Sequence, residues 1–147
     1  MLPNLYLSAL VFLLIGNDSN IDSEQVYFGQ KFILGQNQQV SITDSTATGE
    51  AITLSWESMT DSRCPTDVKC ITAGEAVLIL QLQNKDLQTI LTKVYQPGTS
   101  PAITYITNSP IQLGKAKYNL RLLSVSPYPN TKNTFRMPQA ELILEKI

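Results

Sequence analysis

EAVLILQLQ, from Glu75 to Gln83, places Ala76, Leu78, Leu80 and Leu82 on one face of an extended chain. Successive strand side chains point to opposite sides, so a period of two marks a buried face. Val77 and Ile79 make part of the other face apolar as well, as expected of a strand central in its sheet. Upstream, Ala51 to Met59 reads AITLSWESM. Ile52, Leu54 and Trp56 alternate there with Thr53, Ser55 and Glu57, which predicts one buried face. Trp56 is the sole tryptophan and is expected to anchor the core.

The same pattern recurs outward from this pair. Lys31 to Leu34 and Gln38 to Ile42 flank a predicted tight turn at Gly35-Gln36-Asn37. Gln88 to Tyr95 follows a turn at Asn84-Lys85-Asp86, and Ala102 to Thr107 reads as a weaker edge strand. Tyr118 to Val125 puts Tyr118, Leu120 and Leu122 on one side before Pro127-Tyr128-Pro129-Asn130 interrupts it. Gln139 to Ile147 closes the chain, with Ala140, Leu142 and Leu144 opposite Glu141 and Glu145. About eight strands without an amphipathic helix between them predict an all-β fold, an antiparallel β-sandwich or Greek-key barrel. We place this single domain at 30–147, behind a flexible linker at 20–29.

Leu5 to Ile15, LYLSALVFLLI, is apolar except for Ser8. As a helix it spans roughly 17 Å, too short for a hydrocarbon core of about 30 Å. It reads as the apolar part of a signal peptide over 1–19, with no membrane span left after its removal. A buried N-terminal helix or strand is the competing reading. No Lys or Arg precedes the run, and Gly16-Asn17-Asp18-Ser19 has no small-x-small cleavage pattern. Asp18, Asn20, Asp22 and Glu24 alternate like a calcium loop, but Ser23 and Gly29 stand where that loop needs Gly and Glu.

Charged residues make up 16% of the 147-residue chain, against about 25% in typical soluble domains. Net charge is −1, with both signs scattered. Neither nucleic acid nor anionic lipid has a basic surface to meet. The chain contains no histidine, which removes Ser-His-Asp and Cys-His catalysis and histidine zinc sites. No cofactor and no metal is expected, and a monomer is.

The chemistry-bearing stretch is Asp61 to Ala76, DSRCPTDVKCITAGEA, between the two strongest strands. Its two cysteines, Cys64 and Cys70, are the chain's only ones. In an exported protein an even count favours pairing. So short a ring contributes roughly 2–2.5 kcal/mol by the chain-entropy model. Pro65 stiffens it, and Gly74 is expected to supply a positive φ where the chain enters the next strand.

This stretch resembles a widespread family of small bacterial exported proteins and lipoproteins that carry a DSRCP-x-x-V-x-C-x-x-x-G-x-A core. The opening FGQKFILGQNQQVSI, the SVSPYPN stretch and the alternating last strand are also similar, so the resemblance covers roughly residues 28–147. Many relatives have Trp two positions after the second cysteine, where this chain has Thr72, and many have a lipid-anchoring cysteine that is missing here. The resemblance implies a periplasmic or extracellular location and a β fold; it implies no activity.

Three readings of the loop follow. In the first it is structural, with Asp61 and Arg63 bonding turn amides and each other. In the second it is a recognition loop of Asp61, Arg63, Pro65, Asp67, Lys69 and Glu75, preorganised by the disulfide. Such a loop would meet an envelope or extracellular protein or a glycan, or enter a protease cleft with Arg63 or Lys69 in the specificity pocket. In the third, Asp61, Asp67 and Glu75 serve a carboxylate- or metal-dependent hydrolase. Tyr95, Tyr105, Tyr118 and Tyr128 form a stacking surface if exposed together; half-buried strand positions suit them better.

Overall fold

The computed structural model describes residues 25–46, 49–97, 104–105, 110–132 and 136–147. The signal-peptide reading at 1–19, the acidic alternation at 18–24 and most of the 102–107 strand lie outside the described residues. The strands are β1 Val26–Tyr27, β2 Lys31–Gly35, β3 Gln39–Thr43, β4 Ile52–Asp61, β5 Ala76–Gln83, β6 Gln88–Tyr95, β7 Thr104–Tyr105, β8 Ile111–Leu113, β9 Ala116–Ser126 and β10 Gln139–Lys146. They form a six-stranded sheet, β1-β3-β4-β5-β6-β7, and a four-stranded sheet, β2-β10-β9-β8. Both sheets have open edges, so the architecture is a sandwich and the barrel does not close. Pairing is antiparallel throughout except that β1 runs parallel to β3, with Val26 opposite Ile42.

The period-two faces meet between the sheets. Ile52, Leu54 and Trp56 of β4 and Ala76, Leu78, Leu80 and Leu82 of β5 pack toward Leu120 and Leu122 of β9 and Leu142 and Leu144 of β10, all buried. Trp56 is enclosed as expected, and its indole N–H donates to the Ser58 carbonyl at 3.0 Å. This satisfies the one polar atom that its burial would otherwise strand.

Two elements depart from the sequence reading. Val26 and Tyr27, read as part of a flexible linker at 20–29, form β1, and Val26 joins the core. Its short run gives no periodicity to read, and pairing with β3 decides its state. Ile111–Leu113 is a strand that the sequence reading left unassigned; it is the outer half of a hairpin with β9, turned at Gly114 (φ 64°). The other strands read from alternation lie where expected along the described residues, Gln88 to Tyr95 with identical bounds.

Candidate functional site

The β4–β5 ladder does not stop where the strands end. Ser62 N–H donates to the Glu75 carbonyl and Cys64 N–H to the Ala73 carbonyl, both at 2.8 Å. These bonds continue the register that puts Asp61 opposite Ala76. The loop base is therefore a narrowed extension of the hairpin, closed by the disulfide between Cys64 and Cys70. Gly74 has φ +68°, and a Cβ there would come within 1.8 Å of the Ser62 carbonyl oxygen. Glycine is required twice over, by the left-handed backbone and by the opposite limb.

Arg63 turns inward. Its side chain is fully enclosed, while that of Asp61 keeps 22% of its surface. The Asp61 carboxylate accepts from Arg63 Nε at 2.8 Å and from Nη2 at 2.6 Å, and also from the Arg63 backbone N–H at 3.1 Å. Nη1 donates to the Val125 carbonyl at 2.7 Å and Nη2 to the Pro127 carbonyl at 3.1 Å. The guanidinium carbon lies 4.8 Å from the Tyr128 ring centre and 5.8 Å from that of Tyr95. A planar fork of five donors suits this crowding of carboxylate, carbonyls and rings. One side chain thus ties the β4–β5 loop of one sheet to the β9–β10 loop of the other.

Asp67 makes a second tie. Its carboxylate accepts from the Thr131 hydroxyl and, at 3.0 Å, from the Thr131 backbone N–H. Thr66 N–H donates to the Pro129 carbonyl at 3.0 Å. The Thr131 hydroxyl bond, followed by the Thr131 amide bond, holds the Asp67 carboxyl below the usual aspartate range. Glu75 accepts from the Gln96 side-chain amide at 2.9 Å. The DSRCP core and the SVSPYPN stretch, far apart in sequence, are in contact in the fold.

The predicted site residues divide sharply. Asp61, Arg63 and Asp67 face inward or sideways into structural bonds, and Pro65 is half-buried at the ring's base. Arg63 is consequently not presented to a protease cleft. Asp61, Asp67 and Glu75 each bond a different partner, and no group of metal-ligating side chains forms among the described residues. Lys69 is exposed, between Val68 and a fully exposed Ile71. Sequence reading placed Val68 in the ring without giving it a role and missed Ile71, whose signal was a β-branched apolar residue just past the second cysteine, where so small a ring cannot bury it. Of the four tyrosines, Tyr118 is buried, Tyr95 half-buried and Tyr128 partly exposed over Arg63; the Tyr105 side chain lies outside the described residues. These positions do not make one stacking surface. Compared with family models, with curated proteins and with solved structures, the chain matches none.

Proposed function

We propose that this protein is a non-catalytic binding module of the periplasmic or extracellular space, engaging a partner protein through the tip of its disulfide loop. The observation that carries this reading is the exposure of Val68 and Ile71 around Lys69. The side chains of Asp61, Ser62, Arg63 and Asp67 are each held in a structural bond, whereas these three contribute nothing to the core. Apolar surface held on a rigid, twice-anchored loop binds with little ordering cost. The pairing of the only two cysteines, the apolar stretch at 5–15 and the resemblance of the DSRCP core to exported proteins support an oxidising compartment reached by a signal peptide.

The test is affinity capture from envelope extract with the purified protein and with an Ile71→Ser/Val68→Ser variant of equal thermal stability. A protein retained by the native chain and lost with the variant is expected. Equal retention by both, or no specific retention at all, overturns the reading. Lys69→Ala separates charge from apolar contact: it should slow association more than it speeds dissociation if Lys69 lies at the rim.

A further inference from the structure

The outer face of the six-stranded sheet carries a trough that the loop reading does not use. Register places Gln39 of β3, Ser55 of β4 and Gln81 of β5 side by side, and one step along, Ser41, Thr53 and Gln83. The short hydroxyl residues Thr53 and Ser55 thus form a floor between Gln39 and Ser41 on one side and Gln81 and Gln83 on the other. The floor residues are half-buried, and Gln39 and Gln83 stand exposed beside them. Two cavities of about 360 and 470 Å³ share Gln39, Thr53 and Gln83, so they are neighbouring parts of one depression. It runs along β4 from Ala51 to Glu57, a path of about 20 Å at strand rise.

One end of this trough is built by an irregularity. In the β4–β5 ladder Trp56 faces Leu80 and Ser58 faces Ile79, so Glu57 is an extra residue at a bulge. A bulge re-aims its side chain, and here Glu57 accepts from the Ser55 hydroxyl at 2.7 Å. The adjoining turn is fastened to the bulge: Asn37, at φ 62°, donates its N–H to the Trp56 carbonyl, and Trp56 N–H donates to the Gln38 carbonyl, each at 3.0 Å. The amides are oriented too, with Gln81 Nε2 donating to Gln83 Oε1 at 3.3 Å and to Gln88 Oε1 at 3.5 Å.

The geometry points to this trough as a binding site for a neutral oligosaccharide chain. Amides and hydroxyls offer donors and acceptors in near-equal number, which matches ring hydroxyls and suits neither a polyanion nor an apolar ligand. Glu57 at one end and Glu50 at the other would repel carboxylated or sulfated chains, with Lys85 the one cation among the lining residues. The open, elongated shape admits the middle of a chain and does not require an end. The site is separate from the loop tip, so its fate does not depend on the loop reading.

Amide and side-chain NMR titration with cellohexaose, chitohexaose and maltohexaose tests it, with hexagalacturonate as the charged counterpart. At least one neutral hexamer is expected to shift the side-chain amide signals of Gln39, Gln81 and Gln83 at millimolar concentration. Ser55→Val and Gln81→Leu should each weaken that binding roughly three- to tenfold, with unchanged melting, while Ile71→Ser leaves it intact. Absence of shifts with all three neutral hexamers, equal response to hexagalacturonate, or shifts centred on Cys64 to Ile71 overturns the proposal.

Discussion

At the residue scale, two buried cations behave in opposite ways. Arg63 has a carboxylate, two carbonyls and two aromatic rings around it. Removing its side chain leaves Asp61 with only the backbone N–H of residue 63 and takes the guanidinium donor from the carbonyls of Val125 and Pro127. Loss of one partner from a buried pair typically costs about 3–5 kcal/mol, so we expect Arg63→Ala to lose that order of stability in urea titration. Arg63→Lys should recover little, because an ammonium cannot span the fork. Lys93 points from β6 into the sandwich opposite Leu78, is 3% exposed, and has no carboxylate bonded to it among the described residues. Burial lowers its pKa from 10.5. Between the folded and unfolded values the unfolded chain binds more protons, so stability rises with pH through that window and levels off above 10.5. Lys93→Met should raise the melting temperature and flatten this alkaline dependence; a lower melting temperature with an unchanged slope would show that the ammonium is stabilised after all.

At the element scale, the hairpin β4–β5 and its loop form the unit on which the site rests. Gly74 is its most constrained position. Gly74→Ala must relieve both a left-handed φ and the contact with the Ser62 carbonyl, and should cost more than about 2 kcal/mol. A melt within a degree of the native protein would mean that the two limbs part easily. Sequence reading found this hairpin almost to the residue because Ile52 to Trp56 and Ala76 to Leu82 each bury one face over several alternations. It offered the Asp61–Arg63 bond, which is local, as one of three readings of the loop, and it foresaw the positive φ at Gly74. It did not foresee the bulge at Glu57. Alternation before and after an inserted residue looks continuous when the phase change falls among polar residues such as Glu57 and Ser58.

At the scale of the molecule, sandwich edges need protection. Gln36 N–H donates to the Pro138 carbonyl at 2.9 Å, one step past the Gly35–Gln139 pair. The ladder bonds of β2 therefore fall at Leu34 and Phe32, and Lys31 and Ile33 turn their backbone groups outward. Gln38 occupies both polar groups of Gly35, which shortens the free edge. Lys31, paired with Glu141 at 2.8 Å, is the charge that guards the rest. We expect Lys31→Val to promote self-association, visible as a concentration-dependent rise in mass by light scattering; a mass equal to that of the native chain would place the protection elsewhere. Reduction of the disulfide should lower stability by about 2 kcal/mol and leave the far-ultraviolet spectrum intact, because the ring lies outside both sheets. Unfolding on reduction would instead make the clasp essential to the sandwich.

The amino-acid sequence alone set the strand faces, the main turns and the disulfide. Side-chain alternation, glycine and proline geometry, and a cysteine count of two leave little choice at short range. Tertiary structure decided which strands neighbour one another, that Val26 and Ile111 belong to strands, and that Arg63 is a clamp and not a displayed charge. It also set the row of Gln39, Ser55 and Gln81. Period two says which way a residue points but not what lies across from it. Arg63 meets Val125 and Pro127 at separations of 62 and 64 residues, where no local pattern carries the information and packing of the two sheets supplies it.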